Sequence, residues 1–170
     1  AQSGRGTVLL TAHFGDWELS SLASSVIGFP IMVLVREQKM KRLNELLNRL
    51  RESNGCKVIR KGMSIKNILK ALYGKNVVGI LSDQDAGKNG MFVDFFGRPA
   101  YTSTAPVILA LATAVPIIPM FIVREGSIHT IYVEEPLELE ITGNKENDIK
   151  VNTGKWSKVV ESYIRKYPSQ

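Results

Sequence analysis

Pro106-Val107-Ile108-Leu109-Ala110-Leu111-Ala112-Thr113-Ala114-Val115-Pro116-Ile117-Ile118-Pro119-Met120-Phe121-Ile122-Val123 is the stretch on which the fold turns. No charged residue lies between Arg98 and Arg124, so on length and hydropathy the run passes for a membrane-spanning helix. Pro116 and Pro119 argue against that reading. Each removes a backbone donor from a helix interior, and β-branched residues crowd around them. The spacing predicts a buried helix over 104–114 and then a buried strand over 117–123. A helix feeding a short apolar strand is half of an α/β repeat.

The same alternation runs through the rest of the chain. Strands are predicted at 7–13, 31–36, 57–59, 77–82, 117–123 and 128–133, and helices at 16–27, 39–53, 64–73, 104–114 and 155–166. In the second helix Leu43, Leu46, Leu47 and Leu50 form the apolar stripe, with lysines and arginines on the outer face. Gly55 suits the stop after it, and Ser64 suits the N-cap of the next helix. Strand–helix–strand order with short links implies one α/β domain: a central, mostly parallel sheet covered by helices on both faces. The last two strands read as a hairpin across 124–127. Residues 90–102 read as an unusually apolar loop, and 143–148 as a polar surface loop.

Composition narrows the partners. The chain has 170 residues, 44% of them hydrophobic and 22% charged, enough for one domain with a core. Its formal charge of +6 favours an anionic partner such as acidic lipid, a phosphorylated substrate or an acidic carrier protein. Basic residues are not interleaved with aromatics as a nucleic-acid platform requires. A single cysteine, Cys56, excludes an internal disulfide and a multi-cysteine metal site.

Chemistry points to three segments. His13-Phe14-Gly15-Asp16-Trp17-Glu18 follows the first strand, and His13 is one of two histidines in the chain. A loop histidine folding back on the first-turn carboxylate of Glu18 makes a general base with its orienting partner. Asp83-Gln84-Asp85 ends another strand, where Asp-x-Asp either holds a divalent metal on a nucleotide sugar or makes structural pairs. Phe92, Phe95 and Phe96 can line an acyl-chain channel or pack on the core. Arg36, Arg49, Arg51 and Arg60 are the candidate anion ligands. No P-loop, zinc spacing or Gly-x-Ser-x-Gly elbow occurs.

These segments, in this order, resemble the late-acting lipid A biosynthesis acyltransferases, the lauroyl/myristoyl transferase family. Residues 13–18 resemble the family's His-Phe-Gly-Asn-Trp-Glu signature, with Asp16 at a variable place. Val33-Leu34-Val35-Arg36 takes the place of its following strand and arginine. Ser82-Asp83-Gln84-Asp85 and Phe92-Val93-Asp94-Phe95-Phe96-Gly97 resemble its Asp-Gln-Asp and Phe-Val-Pro-Phe-Phe-Gly segment, with Asp94 for a common proline. Residues 109–119 resemble its next helix and strand, and 164–170 the approach to its C-terminal tail. Family members also carry an N-terminal membrane helix, so the likeness is to the catalytic core.

The resemblance implies transfer of a fatty acyl group from acyl-carrier protein, or coenzyme A, to a hydroxyl of a lipid A precursor. The reaction belongs at an anionic membrane surface, the cytoplasmic face of the inner membrane, with no metal and no cofactor beyond the acyl co-substrate. It makes His13 and Glu18 catalytic and puts the functional arginine at Arg49 or Arg51. It matches Asp83 to a functional aspartate, expected to pair with one of these arginines. Three alternatives stand beside it: another glycolipid acceptor such as a phosphatidylinositol mannoside, a metal-dependent glycosyltransferase using Asp83 and Asp85, and a non-catalytic basic domain that binds anionic lipid.

Overall fold

A computed structural model describes residues 6–35, 39–53, 55–60, 65–85, 87 and 89–170. Elements run in the order β1 (Thr7–Thr11), α1 (Trp17–Val26), β2 (Ile31–Val35), α2 (Lys41–Ser53), β3 (Lys57–Arg60), α3 (Ile65–Tyr73) and β4 (Val77–Leu81). Then come β5 (Gly90–Phe95), β6 (Arg98–Ser103), α4 (Ala105–Thr113), β7 (Ile117–Glu125), β8 (Ile128–Val133) and α5 (Lys145–Lys166). Six strands form one sheet in the order β3-β2-β4-β1-β7-β8, and β5 and β6 make a separate pair. Every neighbour in the large sheet is parallel except β8, which returns beside β7. The helix-then-strand reading of 106–123 holds. No described helix is long and apolar enough to cross a membrane.

The order of strands fixes where a ligand belongs. From β1 the chain moves through α1 and α2 toward β2 and β3 at one edge. From β4 it moves the other way, through α4 to β7. Right-handed crossovers running in opposite directions leave their helices on opposite faces. The sheet therefore reverses its winding between β1 and β4, and the crevice beyond their carboxyl ends is the usual binding place.

One face carries the larger core. Val8, Leu10, Val78, Ile80, Ile117 and Phe121 meet Leu72 of α3, Val107 of α4 and Trp156 of α5. The period-2 alternation sends Leu9, Ile31 and Met120 to the other face. Over there α1 buries three serines, Ser20, Ser21 and Ser24, whose hydroxyls bond carbonyls of their own helix. Gly79 in β4 leaves room on that face, because a Cβ there would lie 2.9 Å from Ile31 Cγ2.

Three sequence expectations change. Residues 90–102 are a hairpin, closed by Phe96 and Gly97, both at positive φ, the geometry of a tight two-residue turn. The polar segment 143–148 is the start of α5, which is ten residues longer than its predicted apolar part. Asn144 caps it through Asn147 N–H, Asp148 accepts from Thr142 and Gly143, and Asn152 pairs with both backbone groups of Glu140. In α2 most of the leucine stripe does not face inward: Leu43, Leu46 and Leu50 are exposed, Leu47 is half-buried, and Asn48 and Arg51 are the buried residues. Ser64 and Arg36 lie outside the described residues.

Candidate active site

His13 is built by the strand before it. Two residues past the end of β1, Phe14 N–H donates to the Ala12 carbonyl at 2.8 Å. That three-residue turn pushes the imidazole outward. Phe14 anchors the turn, buried edge-on against Phe121 and Tyr163. Gly15 follows at φ +58°, where a Cβ would stand 2.2 Å from the Ile122 carbonyl oxygen. Only glycine meets both conditions.

The partner of His13 comes from β4. Thr11 lies opposite Leu81 in the parallel register, so two residues further on His13 lies opposite Asp83. The carboxylate accepts from His13 N–H at 2.9 Å through Oδ2 and meets the ring Nδ1 at 2.8 Å through Oδ1. A carboxylate that already accepts a backbone donor makes Nδ1 the protonated nitrogen, leaving Nε2 with a free lone pair. Gln84 places its side-chain nitrogen 3.5 Å from Nε2, and Trp17 packs edge-on at 5.0 Å between ring centroids.

Glu18 does not supply that carboxylate. Trp17 faces His13, and the next helical residue projects about 100° away around α1. There Glu18 takes Arg51 of α2 with both oxygens, at 3.1 Å from Nε and closer from Nη2. Asn48 accepts from Nη1 at 3.1 Å. Asp83 accordingly pairs with the histidine and not with an arginine. Between the two candidate arginines, Arg51 is the buried, engaged one and Arg49 is exposed. Arg36 is not described, and of Arg60 only the backbone is. Asp85 accepts from Gly87 N–H at 3.0 Å, a turn-forming role, so Asp83 and Asp85 face different partners.

A cavity of about 270 Å³ opens beside Asp83, lined among others by Ser82, Phe95, Tyr101 and Trp156. Of the three phenylalanines only Phe95 reaches it. Strand alternation turns Phe92 to solvent against Tyr101, and Phe96 sits in the turn under the Arg165 guanidinium at 4.7 Å. A larger hollow of about 450 Å³ lies around Gly15, Asp16, Arg124 and Gln170; His13 is in the lining of neither, and Asp83 borders the smaller one. The second histidine, His129, is bonded to Asp16.

Cys56 is buried, and burial raises its thiol above the ordinary cysteine value while Arg51 pulls the other way. Its Sγ donates to the Ile31 carbonyl at 3.1 Å. What the site holds is a histidine with a fixed tautomer, its Nε2 met by the Gln84 amide at 3.5 Å, and a carboxylate partner that borders a cavity at the switch of the sheet. It can take a proton from a hydroxyl or similar group.

The profile of the bacterial lipid A biosynthesis acyltransferases matches residues 1–170. Curated proteins similar to the chain include phosphatidylinositol mannoside acyltransferase of Mycobacterium tuberculosis (strain CDC 1551 / Oshkosh). It is 25% identical over 128 residues, covering 73% of this chain and 40% of that protein. The protein of the same name from Mycolicibacterium smegmatis (strain ATCC 700084 / mc(2)155) is 24% identical over 128 residues, covering 73% and 42%. The chain thus spans about two-fifths of the length of the curated relatives it matches.

Proposed function

The chain belongs to the bacterial lipid A biosynthesis acyltransferase family, and we propose that it transfers a fatty acyl chain from a carrier thioester to a glycolipid hydroxyl with His13 as general base. The observation that carries the reading is the His13–Asp83 pair, whose carboxylate also borders the cavity. The acceptor oxygen attacks the thioester carbonyl while Nε2 removes its proton. Asp83 stabilises the imidazolium that results. On collapse the carbon–sulfur bond breaks and His13 gives its proton to the leaving thiolate, so the products are the ester and the free carrier thiol and the imidazole is again neutral. No covalent acyl-enzyme is needed, in keeping with a buried Cys56.

Backbone N–H groups in the first turn of α1 steady the oxyanion. The acyl chain lies in the cavity along Phe95 and Trp156. Glu18 holds Arg51 in place on α2 and so positions that flank of the site. The donor is acyl-carrier protein, whose acidity suits the +6 charge, with acyl-coenzyme A as the alternative. The acceptor is a lipid A precursor at the cytoplasmic face of the inner membrane. A phosphatidylinositol mannoside acceptor is the second reading, favoured by the names of the curated relatives.

Mass spectrometry of the products formed from acyl-carrier protein and each acceptor separates the two readings. With the productive pair, His13→Gln is expected to lower kcat/KM by about 10²–10⁴. Asp83→Asn should cost about 10² or more by releasing the tautomer. Retention of activity within a few-fold by His13→Gln would sink the mechanism.

A further inference from the structure

Gln84 stands on the reactive edge of the imidazole. The segment that carries it is held on both sides. Ser82 N–H donates to the Thr11 carbonyl at 3.2 Å and so extends the β1–β4 ladder, and Asp85 bridges Thr102 of β6. Asp83 and Asp85 both border the cavity, while the residue between them meets His13 on the nitrogen that Asp83 does not take. Among the described side chains touching the ring, Asp83 only accepts and Trp17 makes a ring contact. Gln84 brings an amide.

The direction of that amide follows from the tautomer. With the proton on Nδ1, the imidazole Nε2 presents a lone pair, so it is the NH₂ end of Gln84 that faces it. At 3.5 Å the contact is at the outer limit of a hydrogen bond, and Gln84 itself is exposed. Little is lost when it lets go. An acceptor hydroxyl donating to Nε2 brings its oxygen to about 2.8 Å. The carbonyl carbon that it attacks then lies about 3–3.5 Å from that oxygen, with the carbonyl oxygen about 1.2 Å from the carbon. The reacting carbonyl therefore develops its charge in the neighbourhood that the Gln84 amide occupies.

We propose that Gln84 is a transition-state donor for this reaction: its amide yields Nε2 to the acceptor hydroxyl and turns its N–H onto the thioester carbonyl oxygen. The inference rests on the acyl-transfer reading and adds a side chain to the backbone donors of α1. The bond strengthens as the oxygen becomes an anion, because hydrogen bonds to ionised acceptors are roughly twice as strong as neutral ones. An interaction stronger in the transition state than with bound substrate raises kcat and leaves binding nearly unchanged. Gln84 forms no covalent bond and moves no proton; both stay with His13 and the substrates.

The test is steady-state kinetics of the intact protein with the carrier thioester and glycolipid acceptor that give product in wild type. Gln84→Leu keeps the size of the side chain and removes the donor, so kcat should fall by about 10²–10³ while KM stays within a few-fold. Gln84→Glu, of the same shape with an acceptor in place of the donor, should lose at least as much. Replacing the thioester carbonyl oxygen of the donor by sulfur, a weak acceptor, should narrow the gap between wild type and Gln84→Leu by about tenfold or more. A glutamine that only props its loop would leave that gap unchanged, and circular dichroism melts show that both variants are folded. If Gln84→Leu keeps kcat within a few-fold while His13→Gln is inactive, the proposal is overturned and the acyl-transfer reading stands. A loss carried by KM, or an equal gap with oxygen and sulfur donors, would overturn it too. Wild type that forms no acylated product, or His13→Gln as active as wild type, would sink both.

Discussion

The pair between Glu18 and Arg51 separates two functions that a sequence motif joins. Arg51 is buried and charged, and Glu18 neutralises it while Asn48 satisfies a third donor. Removing the acid leaves a buried guanidinium short of its counter-charge. Glu18→Gln should therefore destabilise the protein by about 1–3 kcal/mol, seen as a lower chemical denaturation midpoint. Because His13 bonds Asp83 instead, kcat/KM for acyl transfer should stay within a few-fold in Glu18→Gln and fall by about 10² in Asp83→Asn. An equal fall in the two variants would return the orienting role to Glu18. The sequence exposes His13 readily, since a histidine after an apolar strand and before Gly15 has few structural excuses. Its partner is hidden, because Asp83 is seventy residues away and only the adjacency of β1 and β4 brings it close. Spacing along the chain says nothing about which strands are neighbours.

At the scale of elements, the hairpin β5–β6 and the helix α5 depend on each other. Ser157 Oγ donates to the Asp94 carbonyl at 2.7 Å, and buried Glu161 accepts from Phe96 N–H at 2.8 Å. Lys158, which bonds Glu161, and then the Phe96 amide hold that carboxyl below the usual glutamate range. Glu161→Gln should speed hydrogen exchange in the β5–β6 amides by about tenfold or more, while β1 and β4 stay protected. Equal exchange in both proteins would show that the turn is held by something else. Strands and helices of the main sheet were legible because each apolar run is bounded by Gly, Pro or charge. The hairpin was not, since Phe96-Gly97 lacks the usual Asn-Gly or Asp-Gly turn and its faces read as a greasy loop. The first half of α5 was hidden by its own core: Asp148, Asn152 and Thr153 are buried polar residues, so apolar periodicity starts only near Trp156. Helix α2 misled in the opposite way, with a true apolar period of which Leu43, Leu46 and Leu50 lie outside and Leu47 is half-buried.

For the whole molecule, acid is the informative stress. Thr142, through its hydroxyl and then its amide, lowers the Asp148 carboxyl below the ordinary aspartate value. A carboxyl lowered in the folded state adds stability that is present above its unfolded value and lost as pH falls through the folded one. Stability should thus decline below about pH 4, where the unfolded chain takes up protons first. In Asp148→Asn that part of the acid slope should flatten, as measured by melts taken across the acid range. An unaltered slope would place the proton uptake elsewhere. The Thr11–Leu81 register has a broader outcome. His13 and Asp83 belong to strands made at different times during synthesis, with α1, β2, α2, β3 and α3 between them. A ribosome-bound chain that has emerged only through α3 carries the imidazole without its acceptor, so the pair forms only on closure of the two central strands and reports that the sheet has finished assembling.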